Sequence, residues 1–294
     1  MSITATGFTT RIRTWLLIAG LTALLVAIGA AIGGGALYLF AALAVVMNLV
    51  GYWFSDRIAL GASRARPVEP GSLPWLEAAV QELAARAGVP APRLYLVPSE
   101  QPNAFATGRG PRHAAVAVTE GLLRQLPQDQ VRGVLAHEFA HIRNRDILVS
   151  SIAAMVAGAI SAIANVLQLS FLFGGDEEDS GPLGLVGAIA TILFAPLAAM
   201  LLQLAVSRQR EYLADATGAR LLGRAAPLAD ALESLERGAQ ALPMAVNPAT
   251  ASLYAVNPLP RAGVATLFMT HPPIEERIRR LRALDGEGAV RLAA

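Results

Sequence analysis

Three long stretches without a charged residue constrain the fold of this chain more than any other feature. No Asp, Glu, Lys or Arg occurs from Thr14 to Ser55, from Ile147 to Gly175, or from Ser180 to Ser207. A helix needs about 20 apolar residues to cross a bilayer. The first stretch is therefore long enough for two crossings and each of the others for one, so the sequence predicts four transmembrane helices.

The composition supports a membrane protein. Of the 294 residues, 54% are hydrophobic and only 16% are charged, whereas soluble domains carry about 25% charged residues. All 24 basic residues are arginine, they are scattered or flank the apolar stretches, and the net charge is only +2. A nucleic-acid-binding protein would gather its basic residues on one face, so nucleic acid is excluded as a partner. The absence of cysteine also excludes disulfides and thiolate metal sites.

The first apolar stretch is interrupted by three glycines, Gly33–Gly35. This break predicts a helical hairpin with spans at about Thr14–Ala31 and Ala36–Phe54. A cleaved signal peptide is the alternative for the first span, but a second span follows immediately and the region is too long for a signal core. The third and fourth spans are predicted at about Ile147–Phe173 and Leu183–Val206.

Arginines at the ends of the predicted spans indicate the orientation. Four spans put all of these ends on one side of the membrane, which the positive-inside rule makes the cytoplasmic side. Both termini are then cytoplasmic, and the tips at Gly33–Gly35 and Asp176–Asp179 lie outside. The flanking residues are Arg11, Arg13, Arg57, Arg64, Arg66, Arg143, Arg145, Arg208 and Arg210.

This topology divides the chain into a transmembrane hairpin (1–54), a cytoplasmic segment (55–146), a second transmembrane hairpin (147–206) and a second cytoplasmic segment (207–294). The two cytoplasmic segments are expected to fold together into one α+β domain with a small β-sheet. Hydrophobic periodicity and turn residues predict its elements: helices at Leu73–Ala87, Asp129–Asp146, Pro227–Gln240 and Ile274–Leu284, strands at Arg93–Val97 and Ala114–Thr119, and a loop or lid at Ala241–Thr270.

The motif His137-Glu138-Phe-Ala-His141 is the most specific signal in the chain. On a helix, the i, i+4 spacing puts both imidazoles on one face, where they can share a zinc ion, and Glu138 lies beside the site as a general base. The alternative is a pair of solvated histidines on a surface helix. Ligand count alone does not distinguish zinc from another divalent ion.

A catalytic zinc requires a third protein ligand and one open position. The extended motif with a third histidine is absent, because Asn144 and Ile147 occupy the positions that require glycine and histidine. Glu211 is the best candidate for the third ligand. Asp215 follows one helical turn later and is placed to accept the second N–H of a zinc-bound histidine. The alternative is that Glu211 and Asp215 are solvated carboxylates beside arginines.

With these motifs the sequence resembles the HtpX-type membrane-bound zinc metalloproteases, which are related to the CAAX prenyl proteases. The resemblance covers nearly the whole chain, including the four-span layout. Its motifs are His-Glu-Phe-Ala-His at 137–141, Glu-Tyr-Leu-Ala-Asp at 211–215, Pro-Asn-Ala-Phe-Ala-Thr-Gly at 102–108 and Thr-His-Pro-Pro at 270–273.

The resemblance implies a mostly α membrane protein with a gluzincin-like zinc protease domain. One zinc ion would be bound by His137, His141 and Glu211, with Glu138 as the catalytic residue. The implied role is quality control under stress, in which misfolded membrane proteins or unfolded polypeptides are cleaved at the cytoplasmic face of the bacterial inner membrane. The alanine- and proline-rich segment Ala241–Thr270 departs from the family.

Two further polar residues, Asn103 and His271, are candidates for a role. Asn103 is expected to form backbone hydrogen bonds, either within its loop or to an extended substrate that adds a strand to the sheet edge. His271 is suited to stabilising the oxyanion or to occupying the open position of the zinc, or it simply precedes the last helix. His113 is expected at the surface.

Two other function classes compete with a protease. A proteolytically inactive membrane scaffold that retains a metal site is one, and it differs from an enzyme only in activity. A metal transporter is the other, but such a protein should carry ionisable ligands inside its spans, and the predicted spans contain no histidine or acidic residue.

Overall fold

The computed structural model describes residues 34–153, 208–241, 251, 253–256 and 272–286, together with eight positions between 19 and 30. This part of the chain is mostly helical with one small mixed sheet. Its elements are, in chain order, α1 (Ala36–Ala62), β1 (Arg66–Pro67), α2 (Pro74–Ala87), β2 (Arg93–Val97), β3 (Ala104–Thr107), a 3-10 turn (Pro111–His113), β4 (Ala115–Thr119), α3 (Glu120–Gln125), α4 (Gln128–Asn144), α5 (Arg208–Leu222), α6 (Ala226–Ala241) and α7 (Ile274–Gly286).

Helix α1 begins at the predicted glycine break. Gly34 has a positive φ of 58°, a conformation that favours glycine, and Gly35 caps the helix. The Asn48 amide donates a 2.8 Å hydrogen bond to the Thr22 hydroxyl. Thr22 and Asn48 lie equally far from Gly35 in sequence, so this bond indicates an antiparallel helical hairpin.

Helix α1 is longer than the predicted span, because it continues to Ala62 instead of ending near Phe54. Its last turns bury Ala59 and Leu60 against the sheet. The helix therefore connects the helical hairpin to the domain that contains the sheet. Near its N-terminal end, the helix exposes large apolar side chains, including Tyr38 (78% exposed) and Leu39 (67%).

Among the described residues, Leu37–Ala62 is the one helical segment long and apolar enough to cross a membrane. The turn at Asp176–Asp179, the fourth span and most of the third lie outside the described residues. Of the third span, only the helical residues 147–153 are described.

The sheet has the strand order β1-β2-β4-β3. Strands β2 and β4 are parallel, while β1 and β3 pair with their neighbours in antiparallel fashion. The two predicted strands are β2 and β4. Strands β1 and β3 were not predicted, because segments of two and four residues carry no readable alternation. Strand β3 forms an edge of the sheet and, as shown below, borders the functional site.

Both faces of the sheet are covered. Val116 and Val118 of β4 point into the main core, which is formed with the helices of the domain. Ala117 and Phe105 point to the opposite face and pack with Ala59, Leu60 and Tyr254. Burial on both faces explains why β3 and β4 read as continuous apolar segments.

Helix α4 ends earlier than predicted. It stops at Asn144, and Arg145 adopts the left-handed conformation (φ 60°) instead of continuing the helix through Asp146. The Asp146 N–H then donates to the His141 carbonyl at 3.0 Å. This turn brings the Asp146 side chain back towards His141.

Candidate active site

Three metal-binding side chains converge between α4 and α5. His137 and His141 share one face of α4, and their Nε2 atoms lie 3.1 Å apart. Glu211, in the first turn of α5, has its carboxylate oxygens 3.7 Å from His137 Nε2 and 3.5 Å from His141 Nε2. His137 and Glu211 are buried, and His141 is half-buried. The three donor atoms therefore form a compact, enclosed group.

The spacing of this group fits one zinc ion. Donors about 2.1 Å from a tetrahedral zinc lie about 3.4 Å from one another, close to the distances between these atoms. Among the described residues, the buried charged side chains are four carboxylates and two arginines: Glu138, Asp146, Glu211 and Asp215, with Arg210 and Arg277. The carboxylates outnumber the arginines in this buried group, so a bound cation is favoured there.

A glycine lets α5 approach α4 closely. Glu211, Asp215 and Gly218 are spaced i, i+4, i+7 and lie on one face of α5. A Cβ atom on Gly218 would lie 3.0 Å from the backbone nitrogen of His137. The missing side chain therefore allows the two carboxylates to reach the histidines.

Glu138 lies next to the metal-binding group and is almost fully buried. Burial raises the pKa of the Glu138 carboxyl, against the opposing effect of the neighbouring His137 and His141, and the backbone of Ala106 hydrogen-bonds to it. Because Ala106 belongs to β3, this bond joins the motif helix to the sheet edge. A carboxyl with a raised pKa holds an accepted proton more readily than an unperturbed carboxyl does.

Asp215 contacts the Nδ1 side of the His137 ring. Its Oδ1 atom lies 2.9 Å from His137 Nδ1, the arrangement that orients a metal-binding imidazole. Burial would raise the pKa of Asp215, but the Arg277 guanidinium and the bond to His137 lower it to about 2. Asp215 is therefore ionised.

Arg277 was not predicted as a site residue, because the sequence indicated only a helix at Ile274–Leu284. Its guanidinium donates to both carboxylate oxygens of Asp215, at 2.8 and 2.7 Å. The only sequence signal is its place in an apolar stripe, three residues after Ile274 and four before Leu281, both of which are buried.

Asp146 also escaped the sequence analysis. Its Oδ2 atom lies 3.4 Å from His141 Nδ1, and its Oδ1 atom lies 3.7 Å from the Arg210 guanidinium. Burial would lower the pKa of His141, but Glu211 and Asp146 raise it to about 9. The carboxylates around His141 thus favour its positively charged form.

Residues 253–256 form one wall of the cleft. Leu253, Tyr254 and Ala255 line it together with the histidines and Glu211. The Ala255 N–H donates to the Ala104 carbonyl at 2.9 Å. The Tyr254 ring packs edge-on against Phe105, with 5.0 Å between ring centroids.

Asn103 forms hydrogen bonds with this wall. Its Nδ2 donates to the Val256 carbonyl at 2.7 Å, and its Oδ1 accepts from the backbone N–H groups of Ala104 and Val256. The side chain is fully buried. The expected backbone hydrogen bonds of Asn103 are present and join its loop to the cleft wall, and substrate binding by Asn103 stays a prediction.

Of the other two histidines, the structure describes His113 alone. His113 is exposed at the end of the 3-10 turn, as expected. His271 lies outside the described residues, and both of its predicted active-site roles stay predictions.

Comparisons with known proteins agree with the chemistry of the site. Residues 71–285 match the family model "Peptidase family M48". The chain is 53% identical to a protein named "Protease HtpX homolog" from Pelotomaculum thermopropionicum, an alignment that covers 93% of this chain and 98% of that protein. It is 50% identical to a protein of the same name from Pyrococcus abyssi, covering 93% and 95% of the two chains.

A solved structure has a similar fold. The crystal structure of S. mikatae Ste24p matches with a TM-score of 0.50 and 21% identity, covering 95% of this chain and 67% of that one.

Proposed function

The chain belongs to peptidase family M48, and from this premise we propose that it is an integral membrane zinc endopeptidase that cleaves misfolded or damaged membrane proteins at the cytoplasmic face of the membrane. The observation that carries the proposal is the buried group of His137, His141 and Glu211, with Glu138 beside it. This is the donor set of a catalytic zinc site, with one position left for water or substrate.

Each residue has a role in this proposal. His137, His141 and Glu211 bind the zinc, which polarises the scissile carbonyl and acidifies water when it is bound. Glu138 takes the proton of the attacking water and passes it to the leaving amine. Its burial supports this role, because a carboxyl with a raised pKa is closer in proton affinity to both partners.

The outer edge of β3, which is buried beside the motif helix, supports a peptide substrate. In an antiparallel pair, alternate residues turn their backbone groups away from the partner strand. In β3 these are Ala104, whose carbonyl accepts from Ala255, and Ala106, which bonds to Glu138. An extended substrate that adds to this edge next to Ala106 would bring its carbonyl close to Glu138.

The membrane part of the proposal comprises four spans, at about 14–31, 36–54, 147–173 and 183–206. Both catalytic segments, 55–146 and 207–294, would lie in the cytoplasm. The α1 hairpin and its exposed apolar side chains support the first pair of spans. The second pair is supported by the sequence alone. Reporter fusions after Ala294 and after Gly34 test the topology, and a reporter with periplasmic activity after Ala294 would contradict it.

Turnover distinguishes an endopeptidase from an inactive scaffold. The purified full-length protein should cleave casein and a destabilised membrane protein when zinc is present. Glu138→Gln should retain the zinc and lose about 10²–10⁴-fold in rate, because the amide preserves the shape of the side chain but removes the base. Full activity of a zinc-loaded Glu138→Gln protein would rule out this mechanism. A wild-type protein that binds zinc but cleaves nothing would favour the scaffold.

We also propose an active-site role for His271, and its two versions predict opposite outcomes. If His271 stabilises the oxyanion, His271→Ala should lower turnover by about 10²–10³-fold with zinc affinity unchanged. If it occupies the open position of the zinc at rest, the same change should raise basal activity. Unchanged kinetics would reject both roles.

A further inference from the structure

Arg277 is the largest fully buried side chain in the described part of the protein. Its neighbours on α7 behave differently: Arg279, Arg280 and Arg282 are exposed and pair with glutamates at the surface. A buried guanidinium is costly unless it is paired and hydrogen-bonded. Its position therefore requires specific partners.

Those partners belong to two different parts of the site. The Nε and Nη2 atoms of Arg277 donate in parallel to the two carboxylate oxygens of Asp215. The Nη1 atom donates to the Ala255 carbonyl at 3.1 Å. Asp215 supports His137, and Ala255 belongs to the cleft wall formed by residues 253–256. One guanidinium thus joins the metal-binding group to the wall.

We propose that Arg277 is a positioning residue of the zinc site, which fixes the Asp215 carboxylate against His137 and ties the cleft wall to that carboxylate at Ala255. The proposal rests on the proposed role of His137 as a zinc ligand. Asp215 reaches His137 through one oxygen only, so a carboxylate free to rotate would lose that contact for part of the time.

The shape of the guanidinium explains why arginine fits here. Its planar fork donates two parallel bonds to one carboxylate and keeps a further donor for a third acceptor, whereas a lysine ammonium acts as a point charge. Arg277→Lys keeps the buried charge but should lose the paired geometry. It is therefore the conservative variant that separates charge from positioning.

The first experiment measures zinc affinity by competition with a chelator in the purified full-length protein. Loss of a residue that orients a metal-binding histidine typically lowers metal affinity by about 10–100-fold. We expect Arg277→Gln to lie in this range and Arg277→Lys to lie between it and the wild type. Arg279→Gln, an exposed arginine on the same helix, should bind zinc like the wild type.

A double-mutant cycle tests whether Arg277 acts through Asp215. If it does, the Arg277→Gln and Asp215→Asn changes should not add, and the double variant should bind zinc about as well as the weaker single variant. If the two losses multiply, Arg277 acts independently of Asp215 and the proposal is wrong.

Amide hydrogen exchange tests the connection to the wall. The Ala255 and Val256 N–H groups are hydrogen-bonded to Ala104 and Asn103, so a peptide covering 253–256 should be protected. Arg277→Lys should speed its exchange, and Arg279→Gln should not. Unchanged exchange in Arg277→Lys would overturn this part of the proposal.

The outcomes remain decisive even if Arg277→Gln does not fold. In that case Arg277→Lys decides, and wild-type zinc affinity in the folded Lys variant overturns the proposal and leaves Arg277 a purely structural residue. Zinc affinity and hydrogen exchange are measured without substrate. A protein that binds zinc but cleaves nothing would therefore contradict the proposed protease function without affecting this test.

Discussion

Helices α1 and α4 bury their side chains in opposite ways. Along α1, Leu39, Val46 and Trp53 are more than half exposed. In α4, by contrast, His137 and Glu138 are almost completely buried. A helix of about 20 apolar residues is stable with such side chains facing lipid, whereas buried ionisable groups are stable only with partners. Helix α4 thus builds a polar pocket, whereas the exposed apolar face of α1 is the surface that the proposed first pair of spans would place in lipid.

The largest expected effect comes from removing a polar partner inside α4. His141→Ala should abolish zinc binding and proteolysis together, because it removes one of three ligands. The loss of zinc affinity should be larger than the loss of about 10–100-fold that is typical when a residue supporting a ligand is removed. Zinc content after dialysis and casein cleavage provide the measurement. His113→Ala, which removes an exposed histidine, is the matched control. Retention of stoichiometric zinc by His141→Ala would contradict the ligand assignment.

The next effect comes from placing a charge on the exposed face of α1. Val46→Asp should disfavour membrane insertion by about 2.5–3.5 kcal/mol, the cost of an aspartate at the centre of a transmembrane helix. The measurement is the location of a reporter fused after Ala62, which is cytoplasmic only when α1 spans the membrane, with Val46→Ala as the control. The same reporter location in the two variants would mean that this face of α1 does not lie in lipid.

A pair of glycine substitutions compares the packing of the two regions. Gly218→Ala should destabilise the protein by about 1–3 kcal/mol, because its Cβ would press against the His137 backbone. Gly61→Ala in α1 meets no atom within 4 Å and should stabilise the helix by about 0.5–1 kcal/mol. Thermal unfolding in detergent measures both. Shifts of the same sign would contradict the close approach of α5 to α4.

The smallest effect distinguishes the two histidine supports. Asp215 contacts His137 at 2.9 Å, but Asp146 lies 3.4 Å from His141, which is long for a hydrogen bond. Asp146→Asn should therefore lower zinc affinity by about tenfold or less, and by less than Asp215→Asn does. Chelator competition on both variants checks the order. A larger loss for Asp146→Asn would reverse this ranking.

Much of the fold was predictable because its signals are local. Gly88 ends α2 in the left-handed conformation, and the prediction of a helix ending at Ala87 is confirmed. The hydrophobic pattern also predicted α6, α7, β2 and β4 within a few residues. Strand β3 was not predicted, because its four residues form a strand only by pairing with β4. The end of α4 at Asn144 depends on a left-handed arginine, which no sequence rule anticipates.

The chemistry of the candidate site is encoded in the sequence, since spacing alone puts His137 and His141 on one helix face with Glu138 beside them. It also indicated Glu211 and Asp215, one turn apart on a second helix. Only the tertiary structure decided what surrounds them. Arg277 is 62 residues from Asp215 along the chain, and Ala255 is farther still from its partner Ala104. Such partners meet only when separate elements pack, because helical periodicity relates residues within one element and carries no information about which distant element will lie against it.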